Sequence, residues 1–119
     1  MDREHFVGFR VAEEQLRRLR IAARAAGWGR LQAARFAIET ALDEGLDLAP
    51  RGPGRSKRID RLDLPAAVIE LVDQEAAARG WDRRDVASAA LVAGLERVEA
   101  IADAIASVRL RRRERRDHT

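Results

Sequence analysis

The sequence predicts a mainly helical chain built from two copies of one strand-helix-helix unit. Three observations carry that expectation. The two tryptophans, Trp28 and Trp81, both follow a glycine and stand 53 residues apart, in Gly-Trp-Gly-Arg and Gly-Trp-Asp-Arg. Sliding the chain along itself by that interval places Ala23 on Ala76, Ala34 on Ala87, Ala37 on Ala90 and Leu42 on Leu95. It also keeps apolar on apolar at Phe9 and Leu62, Val11 and Leu64, Leu16 and Ile69, Leu19 and Val72, and Ile38 and Leu91, the signature of an internal repeat. Finally, the apolar period in each copy changes from two to about 3.6, as it does when a strand feeds a helix.

Residues 6–11 alternate, with Val7, Phe9 and Val11 on one face and Phe6, Gly8 and Arg10 on the other, and read as a short strand. From Glu13 the spacing turns helical at Leu16, Leu19 and Ala23, with Glu13 and Glu14 in the first turn, where the helix dipole favours acids. That helix stops at Gly27. A second begins near Gly29 or Arg30, runs to about Asp43 and ends at Gly45. Residues 46–57 hold Pro50, Gly52, Pro53 and Gly54 without a periodic pattern, so they form a linker. The second copy repeats the order with a strand over 58–64, a helix over 65–79 opened by Pro65 and closed by Gly80, and a last helix capped by Asp82 with Asp85 three residues on. The last helix has no stop where the first copy has Gly45. Val98, Ile101, Ile105 and Val108 keep helical spacing, so the helix runs on to about residue 108, up to or into the arginine tail.

The chain of 119 residues is 46% hydrophobic, enough for one small core, whereas either copy alone would bury too little. The copies are therefore expected to fold against each other or against a second chain. With no cysteine, no apolar run of membrane-spanning length and no signal-like start, a cytoplasmic protein is expected. Net charge is only +3, but it is unevenly placed. Arg51, Arg55, Lys57 and Arg58 make the linker basic, six arginines crowd residues 109–119 against Glu114 and Asp117, and the remainder is acidic. Two basic segments of this kind suit flexible arms that hold a polyanion. Histidines occur only at positions 5 and 118, and there is no phosphate-binding glycine loop or metal-ligand cluster, so neither an enzyme nor a cofactor nor a metal is expected.

Arg-Leu-Asp-Leu-Pro at 61–65, Gly-Trp-Asp-Arg at 80–83 and Ala-Ala-Leu at 89–91, with Phe-Arg-Val-Ala-Glu-Glu at 9–14, Gly-Trp-Gly-Arg at 27–30 and Ala37-Ile38, occur in the order strand, helix, turn, helix. The chain in this respect resembles the ribbon-helix-helix DNA-binding proteins of the Arc and Met repressor type, over about residues 6–98. The resemblance implies that two units pair their strands into an antiparallel ribbon that enters the major groove. Two units in one chain would then form an intramolecular pseudo-dimer: a first unit over 1–45, the basic linker over 46–57, a second unit with an extended last helix over 58–108, and the arginine-rich tail over 109–119.

It further implies that the outward ribbon residues Phe6, Gly8, Arg10, Ile59, Arg61 and Asp63 meet base edges, with Arg10 and Arg61 the leading readers of guanine. The starts of the second helices, at Gly29, Arg30, Arg83 and Arg84, would face phosphates. Arg51, Arg55, Lys57 and Arg58 would follow the backbone beside the groove. Asp63 and Gly8 depart from the family's pattern, and because the two strands differ the site need not be palindromic. Trp28 and Trp81 are expected to pack over their turns. The function implied is sequence-specific binding of double-stranded DNA, as a transcriptional repressor associated with the nucleoid. The alternatives are a plasmid-transfer accessory protein, or an antitoxin-like module whose C-terminal helix binds a protein partner or a second copy.

Overall fold

The computed structural model describes residues 3–117, with side chains from Gly8 onward. The order is β1 (Arg3–Ala12), α1 (Glu13–Ala26), α2 (Arg30–Asp43), β2 (Ser56–Pro65), α3 (Ala66–Arg79) and α4 (Arg83–Asp117). The protein is thus mainly helical with one two-stranded sheet, a layout compatible with ribbon-helix-helix proteins. β1 and β2 pair antiparallel from Arg3 opposite Pro65 to Ala12 opposite Ser56.

Helix limits follow local chemistry. α1 and α3 both end on a glycine in the left-handed region, Gly27 at φ 77° and Gly80 at φ 68°, which a side chain would strain. The Trp28 and Trp81 amides then donate back to the carbonyls of Ala23 and Ala76, closing the two turns alike. At the other end of α1 no side chain acts as cap, and the Glu13 amide donates instead to the Arg55 carbonyl at 2.9 Å. One of the four amides left over at a helix start is thereby satisfied from the linker. Leu48 is buried as well, so residues 44–55 follow a fixed path over the surface.

The core lies between the ribbon and the helices. Phe9, Val11, Ile59, Leu62 and Leu64 cover it from the ribbon; Leu16, Leu19, Ile38, Val72, Leu91, Leu95 and Val98 fill it from the helices. α2 and α4 both bring small buried residues to the core, Ala33, Ala34 and Ala37 from the first and Ala87, Ala90 and Gly94 from the second. At Gly94 the α2 backbone comes so close that a Cβ would collide with the Ala37 carbonyl. Charged pairs close the rim: Arg97 to Glu44 at 2.9 Å, and Arg18 to Glu99 by two hydrogen bonds, whose carboxylate raises the Arg18 pKa.

Two expectations need correction. Ile59 was expected on the outward face; it is 1% exposed and lies opposite Phe9. Strict alternation would place Ile59 and Leu62 on opposite faces, yet both are buried and the intervening Asp60 and Arg61 are both exposed. Burying an isoleucine is worth about 1.5–3 kcal/mol, which favours this break in the pattern. The last helix was expected to reach about residue 108, up to or into an arginine tail whose charge suited a flexible arm; α4 continues to Asp117. Arginine, leucine and glutamate are good helix formers, no glycine or proline interrupts them, and extending a helix already nucleated by packing costs little. Among the described residues no helix is long and apolar enough to cross a membrane.

Candidate nucleic-acid interface

The ribbon's exposed side carries Arg10, Arg58, Asp60, Arg61 and Asp63. Arg10 and Arg58 are cross-strand partners. Arg10 reaches over to β2, donating from Nε to Ser56 Oγ at 2.7 Å and from Nη2 to the Ser56 carbonyl at 2.9 Å, which fixes its fork along the ribbon edge. Arg58 lies across Gly8: a Cβ added there would fall 2.5 Å from Arg58 Nε. Gly8 is therefore largely covered by a guanidinium and has no side chain to reach a base edge, which corrects its expected role as a base contact. Arg58, expected beside the groove, supplies the side chain at that point and pairs loosely with Asp60 at 3.4 Å. Arg61 and Asp63 are exposed and 3.9 Å apart. The Phe6 side chain lies outside the described residues.

A depression flanks the ribbon on each side. The first, about 320 Å³, lies between β1 at Gly8 and Arg10 and the start of α4 at Asp82, Arg84 and Asp85, with Arg51 and Arg58 at its edge. The second, about 390 Å³, lies between β2 at Arg61, Leu62 and Asp63 and the start of α2 at Leu31, Gln32 and Arg35. The two correspond under the 53-residue interval: Gly8, Phe9 and Arg10 match Arg61, Leu62 and Asp63, while Leu31 and Gln32 match Arg84 and Asp85. Each joins the strand of one half to the second helix of the other.

Their chemistry differs. The first holds four arginines and two aspartates, the second two arginines, one aspartate and two leucines. Asp82 caps α4 by accepting from the Arg84 amide at 2.8 Å and also receives the Arg84 guanidinium at 3.1 and 3.2 Å. The Arg84 side-chain and backbone bonds together hold the Asp82 carboxyl below its usual range. At α2 the equivalent residue is Gly29, no side chain caps the helix and no acid stands in its first turn, so the α2 amides are open to an anion. Arg83 points away toward α3, where its Nε and Nη2 donate to Asp73 Oδ1 and Oδ2, each at 2.9 Å. Arg30 is exposed at the α2 start, and Arg55 is exposed on the linker. Lys57 faces Glu13 at 3.7 Å.

Sequence reasoning placed Arg51 beside the groove with the rest of the basic linker but missed Arg35, Asp60 and Asp85 as members of this surface. Arg35 was legible, standing one turn beyond Leu31 on the same helix face. Trp28 and Trp81 are half-buried and pack against the core, Trp28 with its ring 5.1 Å from Phe36 and Trp81 beneath the Arg79 guanidinium. Among the described residues no cluster of histidine and acidic side chains could hold a metal ion. A scan against protein-family models, a search of curated proteins and a search of solved structures each found no match to the chain.

Proposed function

We propose that the chain is a sequence-specific double-stranded DNA-binding protein of ribbon-helix-helix type, acting as a transcriptional repressor, in which two units of one polypeptide form a pseudo-dimer. The observation that carries this reading is the pair of equivalent depressions flanking a ribbon that bears Arg10, Arg58 and Arg61. The ribbon supplies base-reading side chains, and the helix starts beside it supply amides and arginines for the two phosphate strands.

The pairing of the halves has the form of a two-fold interface, in which residue i meets j and j meets i. Phe9 lies opposite Ile59 while Leu62, the equivalent of Phe9, lies opposite Phe6, the equivalent of Ile59. Glu44 and Arg97 occupy equivalent positions and bond to each other. The bound site is non-palindromic, because the depressions carry different charges.

Selection from random duplex DNA tests this. It should enrich one asymmetric sequence, bound with a log–log salt slope near −5 if about six phosphates are neutralised. Replacing Arg10 and Arg61 by alanine should cost discrimination among sequences more than affinity for unrelated DNA. Equal loss on every sequence refutes base reading by these two arginines.

A further inference from the structure

The six arginines of residues 109–116 lie far from the ribbon, and that distance changes what they can do. α4 begins beside the ribbon, where Asp82, Arg84 and Asp85 line the first depression. At a rise of 1.5 Å per residue, Arg109 stands about 40 Å along the helix from Arg83 and Asp117 about 50 Å. The molecule's long axis is 59 Å, in keeping with that projection. Every residue from 106 to 117 is exposed, so the end of α4 is a helix standing clear of the core.

The helical form also sorts the charges. Arg109, Arg112, Arg113 and Arg116 follow the spacing of a single helix face, and Arg115 and then Arg111 extend it round one side of the helix. Leu110, Glu114 and Asp117 share the opposite side with Glu99 and Asp103. The arginine face continues the side of α4 that is buried lower down at Val98.

Ala102 and Asp103 lie beside Ala22 and Ala25 near the C-terminal end of α1, which leaves the ribbon at Glu13, so α4 leads away from the ribbon and its end stands off a duplex seated there. The major groove is about 8.5 Å deep. Folding the same duplex back by about 40 Å is opposed by a persistence length of about 50 nm. The occupant must therefore be a separate polyanion. The composition favours nucleic acid over protein or membrane: only arginine supplies the positive charge, its fork fits phosphate, and Val108 and Leu110 are too little apolar surface for the buried centre of a protein interface or for insertion into lipid.

We infer that the projecting end of α4 is a second, sequence-independent duplex-binding site, and that one chain bridges two DNA segments, one on the ribbon and one on the helix. This rests on the proposed ribbon function. A basic helix with arginines over one broad face fits a groove about 12 Å wide and neutralises the phosphates on both of its edges.

The test immobilises a duplex carrying the selected ribbon site, saturates it with the full chain, washes, and measures capture of a second, labelled duplex of unrelated sequence. The full chain should capture it, with one protein chain per pair of duplexes. Replacing Arg109, Arg112 and Arg113 by glutamine, which preserves helix, should leave the first duplex bound and reduce capture about tenfold or more. Replacement by lysine should retain most of it, and circular dichroism should show equal helix content in all three proteins. Retention of the first duplex without capture of the second overturns bridging and leaves the ribbon reading intact. Capture that persists in the glutamine variant, with two chains per bridged pair, overturns it in favour of contact between helices of two copies. Failure to retain the first duplex, with unrelated duplex still bound through the arginines, refutes the ribbon reading and bridging together, leaving a single basic helix as the site.

Discussion

Two single residues decide how the α4 helix sits and what its start can bind. Gly94 lets the α2 backbone touch that of α4, and the colliding group is a carbonyl rather than a side chain that could swing aside. Gly94→Ala should cost about 1–3 kcal/mol through overpacking, seen as a lower urea midpoint at unchanged slope. Asp82 holds the start of α4 and cancels charge in the first depression. Because folding lowers its pKa from 3.8, its ion pair with Arg84 stabilises the fold above that value and is lost as the pH falls through the lowered one. Asp82→Asn keeps a capping group but removes the charge. Its melting temperature should fall below wild type at pH 7 and converge with it in acid, while its affinity for any duplex should rise, most clearly at low salt.

Among the elements, the helices were more legible than the ribbon. Gly27 and Gly80 end α1 and α3 where the sequence indicated, because a left-handed residue is a local requirement and glycine announces it. Asp82 likewise announced the start of α4. Which way a ribbon residue faces is not local, since it depends on the partner strand and on what that pair covers. Ile59 was assigned outward by counting alternate residues from Leu62, and packing against Phe9 brings it inward. Ile59→Ala should therefore destabilise the protein by about 2–5 kcal/mol, measurable by chemical denaturation, whereas a surface position would be near neutral. For the site, Arg10 and Arg61 were legible as exposed strand arginines. The placement of Arg58 over Gly8 was not, because only the three-dimensional register brings them together. The arginine run resembled an arm by charge alone, and its helical continuation follows from propensity acting on an existing helix.

For the whole molecule, the pairing of β1 with β2 means that one chain contains both halves of the ribbon. The melting temperature should then be independent of protein concentration across a hundredfold dilution, with a monomeric mass in solution, whereas exchange of halves between two chains would make it fall on dilution. The linker contributes more than length, since its Arg55 carbonyl receives the first amide of α1 and Leu48 is buried.

α2 stops at Asp43, just ahead of Gly45 and the linker, while its counterpart α4 runs to Asp117. A dimer of identical chains would carry any such extension twice, giving three contact points for DNA in all. Here the extension occurs once, so the valence implied by the proposed bridging is two. A divalent linker closes loops or joins segments in pairs, but it cannot branch, and so it would organise DNA without gathering it into a network.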